Sequence, residues 1–107
     1  MKLVNLTPHE ITFVTESGNN LVVAPSGEIA RVTTSTKEIT RLSNGIPVTE
    51  TLYGEVEGLP KPEPDTLYIV SSLVAQRCKE RRDVFIPNES VRDDKGRIIG
   101  CRSLGRV

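Results

Sequence analysis

The chain has 107 residues, with 14 basic and 14 acidic side chains and a hydrophobic fraction of 36%. This length predicts a single domain over residues 1–107 and excludes a cofactor domain beside a separate substrate domain. A net charge of zero provides no long-range attraction to a nucleic acid polymer or to an acidic membrane, so neither is an expected partner. With no Trp, two Phe and two Tyr, the core must rest on aliphatic side chains. We therefore expect a homo-oligomer, in which association adds stability.

The N-terminal residues lack the apolar stretch of a secretory signal, and no run of the chain approaches membrane-spanning length. The two cysteines, Cys78 and Cys101, are far apart in sequence and fit neither a disulfide framework nor a CxxC motif. One histidine is too few for an ordinary zinc site. These features predict a cytoplasmic protein with reduced thiols and without a metal or other cofactor.

Alternation of apolar and polar residues predicts short strands in the first third of the chain. These strands cover residues 3–6, 11–15, 21–23 and 28–33. Turn-forming residues at 16–20 join the second and third strands into a β-hairpin. Residues 34–59 are rich in threonine, which favours strands, although Ile39 and Leu42 are three residues apart and could anchor one helical turn. Asn44-Gly45 predicts a tight turn within this segment.

The second half opens with an extended, proline-rich connector over residues 58–65. Residues 67–70 are apolar and predict a buried strand, which a helix over about 72–81 follows. Residues 83–87 predict another strand, far enough along the chain for a parallel crossover. Residues 91–101 predict a C-terminal hairpin with a left-handed glycine at Gly96. The predicted class is α+β, with a mostly antiparallel sheet and one short helix after a central strand.

The junction between the central strand and the helix is the strongest candidate for a binding site. Ser71 and Ser72 stand where a helix begins, so their hydroxyls and the nearby backbone N–H groups can hold an anion. No glycine-rich phosphate loop accompanies them, and ordinary helix capping remains an alternative. We expect the bound ligand to be small and anionic, as a nucleotide is.

Arginine is concentrated in the last third of the chain, where its planar guanidinium could pair with phosphate. Arg77 and Arg81 lie one helical turn apart and could neutralise a ligand bound at the serine pair. His9 and Arg31 could contribute from across a cleft or a subunit boundary. Tyr68 fits either a core position or an aromatic surface on which a base stacks.

Two other classes of function stay open. Exposed strands and the proline-rich connector would suit a structural or protein-interaction module without a small ligand. An enzyme would use Cys101 or a serine as nucleophile and His9, the residue type that changes charge near neutral pH, as base. No second histidine or metal-binding quartet supports catalysis, so a hydrolase ranks last among the three.

Several short segments resemble a group of small proteins, without an established reaction, that occur in bacterial and phage genomes. The resemblance rests on Asn5–His9, Pro25–Gly27, Ala30–Val32, Gly58–Pro60, Tyr68–Ser71, Arg82–Val84, Pro87, Arg92–Asp93 and Gly96–Gly100. It covers nearly the whole chain and implies a phage-associated role. It implies no reaction, cofactor or site residue. In that setting, a binding protein of this kind would sequester a host signalling nucleotide.

Overall fold

The computed structural model describes residues 1–107, and about half of them lie in strands. The elements, in chain order, are β1 (Lys2–Asn5), β2 (Ile11–Val14), β3 (Asn20–Val23), β4 (Arg31–Arg41), β5 (Pro47–Glu57), β6 (Thr66–Ile69), α1 (Ser72–Arg77), β7 (Val84–Arg92) and β8 (Ile98–Gly105). The predicted α+β class, with one short helix and a C-terminal hairpin, is confirmed. The six-residue helix has neither the length nor the apolar character to cross a membrane.

Six strands form one sheet in the order β1-β6-β7-β8-β2-β3, and β4 and β5 pair separately. The predicted hairpin over 11–23 is confirmed as β2 and β3, and β6-α1-β7 forms the predicted parallel crossover. The sheet curls until its two outer strands meet. Asn5 Nδ2 donates to the carbonyl of Val23 at 3.2 Å, and the N–H of Ser26 donates to the carbonyl of Asn5 at 2.9 Å.

Strand β6 is buried on both faces, which explains its continuous apolar sequence. Tyr68 and Val70 face the larger core cluster, under α1, while Ile69 faces the smaller cluster inside the curled sheet. The larger cluster consists of Leu6, Ala30, Tyr68, Val70, Val74, Ala75, Cys78 and Val84. The smaller one consists of Ile11, Phe13, Ile69 and Cys101. Strand β6 therefore holds the two halves of the core together.

The helix ends at Arg77, four residues before the sequence-based boundary of about 81. Cys78 leaves the helical conformation with φ −128° and ψ 38°, and its carbonyl accepts a hydrogen bond from the N–H of Arg81. The side chain of Arg81 then turns to Asp83. The Arg81–Asp83 ion pair stabilises the turn that follows the helix.

Residues 34–59, for which the sequence favoured strands, form most of one long hairpin whose turn includes Asn44 and Gly45. We call residues 34–55 the arm, and every one of them is exposed. The chain extends over 58 × 40 × 23 Å, with a radius of gyration of 17.4 Å. A compact domain of this size has a radius of gyration of about 13 Å. The arm therefore projects from a compact body.

Candidate functional site

The largest hollow in the molecule, about 540 Å³, lies where β1 and β6 end. Its walls are formed by Thr7, Pro8, His9, Ile11, Val70, Ser71, Ser72, Ile86 and Pro87. We call it the main cavity. Adjacent parallel strands present their carboxyl ends at the same edge of a sheet, which is where ligands commonly bind in α/β proteins. The volume is also within the range of small-molecule pockets, roughly 300–1,000 Å³.

The loop on one side of the main cavity is held by Asn5, a residue that is only 1% exposed. Asn5 Oδ1 accepts hydrogen bonds from the N–H of Thr7 at 2.9 Å and from its hydroxyl at 2.7 Å. Asn5 Nδ2 donates to the carbonyl of His9 at 2.8 Å. These bonds fix the Thr7-Pro8-His9 turn, so this wall of the cavity is held in place by the chain itself.

The opposite wall is formed by the serine pair that follows β6. Ser71 is extended, with φ −70° and ψ 158°, and its side chain makes no capping hydrogen bond. The Ser72 hydroxyl accepts a bond from Gln76 Nε2 at 3.1 Å, which leaves its own hydrogen free to donate. The backbone N–H groups of both serines donate to no atom of the chain. This wall thus offers two hydroxyl and two amide donors.

His9 completes the polar rim of the main cavity. Its residue is exposed, and its imidazole forms no hydrogen bond or ion pair within the chain. Apart from Thr7, the remaining wall residues are aliphatic side chains or prolines. The cavity therefore combines an apolar floor with a few hydrogen-bond donors at its edge, the arrangement found in many ligand pockets.

Two of the predicted arginines are engaged elsewhere. Arg81 bonds both carboxylate oxygens of Asp83, at 2.8 and 2.9 Å, and also donates to the carbonyl of Pro60 at 2.9 Å. These hydrogen bonds raise the pKa of Arg81 and lower the pKa of Asp83. Arg77 lies over the Tyr53 ring, with its guanidinium carbon 5.4 Å from the ring centre. Neither side chain lines the main cavity.

The two other predicted site residues also lie outside the main cavity. Tyr68 is 2% exposed and belongs to the larger core cluster, and its hydroxyl donates to the carbonyl of Lys61 at 3.3 Å. Of the two alternatives for this residue, its surroundings favour the core position. Arg31 is exposed at the start of β4, opposite Glu57. The structure therefore brings His9, Ser71 and Ser72 together and separates the other four predicted residues from them.

The remaining wall residues were not predicted as a site. Thr7 could have been found from its position after a strand and beside His9. Ile86 and Pro87 carry no such signal, because their place follows from the pairing of β7 with β6.

The thiol of Cys101 is not in the main cavity. The residue is 5% exposed, and its Sγ atom lies 3.7 Å from the carbonyl oxygen of Thr12. Burial raises the pKa of Cys101. A buried thiol that stays protonated at neutral pH is a poor nucleophile. No three His, Cys, Asp or Glu side chains lie close enough to hold a metal ion.

Comparisons of the chain with protein-family models, with curated proteins and with solved structures find no significant match. The geometry of the main cavity is therefore the basis for a functional proposal.

Proposed function

We propose that this protein binds a small anionic ligand of nucleotide-like shape and does not convert it chemically. The observation that carries the proposal is the main cavity, in which an apolar floor adjoins the free donors of Ser71, Ser72 and the nearby imidazole of His9. Retention without turnover would serve to sequester a signalling nucleotide. That role fits a phage-encoded protein.

A nucleotide matches the two kinds of wall. A base can lie against Ile11, Val70 and Ile86, because burial of its apolar faces is favourable. A phosphate can accept hydrogen bonds from the amide and hydroxyl groups of the serine pair. Such bonds to a charged group contribute roughly 1.5–3 kcal/mol each, so three of them with base burial approach the ~8 kcal/mol of a micromolar complex.

Isothermal titration calorimetry with AMP, ADP, GDP and UDP tests this proposal, with adenosine and inorganic phosphate as fragments. We expect at least one nucleotide to bind tighter than either fragment. Ser71→Ala and His9→Ala should each weaken that binding by about tenfold, since each removes a donor at the cavity edge. Ser43→Ala is the matched control, because Ser43 is an exposed serine in the turn of the arm hairpin.

Two results would contradict anion binding. One is adenosine that binds as tightly as AMP. The other is nucleotide affinity that stays unchanged in both the Ser71 and the His9 variants.

A second candidate function, self-association through the arm, is favoured by the exposed apolar side chains of that hairpin. Ile39, Ile46 and Tyr53 are 60%, 54% and 48% exposed. An isolated two-stranded ribbon is marginally stable in water, so a second chain that covers it would stabilise it. Within the arm, β4 carries two basic side chains and one acidic one, whereas β5 carries two acidic and none basic. The arm of another copy therefore offers a complementary strand.

Light scattering coupled to size-exclusion chromatography tests this second candidate. The native chain should elute as an oligomer, and the triple variant Ile39→Thr/Ile46→Thr/Leu52→Thr should elute as a monomer. The control is Leu21→Thr/Val22→Thr on β3, which also removes exposed apolar side chains but leaves the arm intact. A monomeric native chain, or a triple variant that stays oligomeric, would exclude this use of the arm.

A further inference from the structure

A second hollow, of about 240 Å³, adjoins the main cavity. Ile11 and Pro87 are in the walls of both hollows, so these two residues border both. The other walls of the second hollow are Glu10, Thr12, Ser90, Ile98, Ile99, Gly100 and Cys101. We call it the side cavity. Its volume is below the usual range for a ligand pocket, roughly 300–1,000 Å³, so it suits an extension of a larger ligand.

The side cavity lies beside a very short strand pairing. Strands β2 and β8 form a parallel pair only at Phe13 and Cys101, and the side cavity lies beside the preceding residues of both strands. In the wall strand β7, Glu89 has a left-handed backbone with φ 57° between Pro87 and Ser90. A non-glycine residue at positive φ is strained, and such strain is concentrated at ligand-binding sites.

The chemistry of the side cavity differs from that of the main cavity. The carboxylate of Glu10 has no hydrogen-bond or ion-pair partner in the chain, and the Ser90 hydroxyl has none either. Ile98 and Ile99 are 59% and 53% exposed and add an apolar side. A free carboxylate repels phosphate and accepts hydrogen bonds from hydroxyl groups. A sugar, with several hydroxyls and an apolar C–H face, matches this set.

We propose that the ligand spans both cavities and is a nucleoside diphosphate joined to a second sugar. This inference rests on the proposed function: the phosphorylated nucleotide lies in the main cavity. The second sugar lies in the side cavity and donates hydrogen bonds to the carboxylate of Glu10. Glu10 directly follows His9, so one short loop contributes to both ends of the site. The serine pair selects the anion, and Glu10 selects the attached sugar.

Calorimetric titration with three matched pairs of compounds tests the inference. The pairs are ADP and ADP-ribose, UDP and UDP-glucose, and GDP and GDP-mannose. In at least one pair, the sugar-bearing compound should bind the native chain roughly tenfold more tightly, as expected for a hydrogen bond to a charged acceptor. Glu10→Ala should abolish this advantage and leave the affinity for the diphosphate within about twofold.

Glu16→Ala in the turn between β2 and β3 is the control, because Glu16 is also exposed and without a bonded partner. It should leave both affinities unchanged. Circular dichroism of the Glu10 variant checks that the fold is intact. Equal affinity within every pair, or an advantage that persists in Glu10→Ala, would overturn the two-cavity ligand and leave nucleotide binding standing. No binding of any of the six compounds would overturn both.

Discussion

The side chain of Asn5 uses its full hydrogen-bonding capacity on the loop of the main cavity and on β3. Asn5→Ala would leave the backbone N–H of Thr7 without a partner and remove one hydrogen bond each from the carbonyls of His9 and Val23, so we expect the free energy of unfolding to fall by roughly 2–3 kcal/mol. Urea denaturation measures this loss. Asn19→Ala, in an exposed turn, should change it by less than about 0.5 kcal/mol. Equal effects of the two substitutions would mean that the loop does not depend on Asn5.

Asp83 makes the stability of the fold depend on pH. Hydrogen bonds from Arg81 lower the pKa of its carboxyl in the folded state. The unfolded chain, where the pKa of an aspartate is about 3.9, therefore binds the proton more readily. The stabilisation is fully present above that pH and is lost as the pH falls through the lower, folded-state pKa. Denaturation at pH 7 and at pH 3 should show Asp83→Asn costing about 1.5–3 kcal/mol at pH 7 and less at pH 3.

Asp94→Asn is the matched control for that experiment, because Asp94 is exposed and forms no ion pair. Its effect should be small at both pH values. If Asp83→Asn cost the same at pH 3 as at pH 7, the ion pair with Arg81 would not be the source of the acid sensitivity.

Among the elements, the close approach of β2 and β8 depends on Gly100, which has no side chain. A Cβ atom at Gly100 would lie 2.7 Å from the carbonyl oxygen of Thr12, and neither backbone can move without separating the strands. We expect Gly100→Ala to lower the free energy of unfolding by about 1–3 kcal/mol, as overpacking does. Thermal and urea denaturation measure this loss. Gly54→Ala is the comparison, since its Cβ would meet the side chain of Thr33, which can rotate away. No loss of stability in Gly100→Ala would indicate that β2 and β8 move apart at little cost.

The sequence predicts best those elements whose conformation is determined by neighbouring residues in the chain. Strand β6 has a continuous apolar run, which is typical of a strand buried on both faces. The turn at Gly96 has a left-handed φ of 80°, as its sequence indicates. The helix boundary was predicted too late because Lys79, Glu80 and Arg81 are good helix formers. The chain nevertheless leaves the helical conformation at Cys78.

The candidate site likewise contains some residues that the sequence predicts and others that it does not. His9, Ser71 and Ser72 were predictable because each lies just beyond a strand, where a backbone turn exposes donors. Ile86 and Pro87 become wall residues only through the long-range pairing of β6 with β7. Arg77, in contrast, was predicted as a site residue but lies outside the main cavity. Its partner Tyr53 is on the arm, and nothing local to either residue predicts their contact.

At the scale of the whole molecule, the body and the arm are stabilised by different interactions. The body has two buried clusters joined by β6, so its strands are held by side-chain packing on both sides of the sheet. The arm has backbone hydrogen bonds between β4 and β5 but no buried side chain from residue 34 to residue 55. Arg77 over Tyr53 is the one cation–π contact in the chain, and it anchors the arm to α1.

This difference predicts how the amides exchange with solvent. In dilute protein, where single chains predominate, the arm should exchange at the fastest rates among the strands, because opening it exposes no buried surface. Residues 66–70 should exchange slowest, since their exposure requires both core clusters to open. Hydrogen–deuterium exchange with mass spectrometry measures both segments. If the arm pairs with a second copy, its protection should rise with protein concentration while that of β6 stays constant. An arm as protected as β6 in the monomer would show instead that the ribbon is stable without a partner.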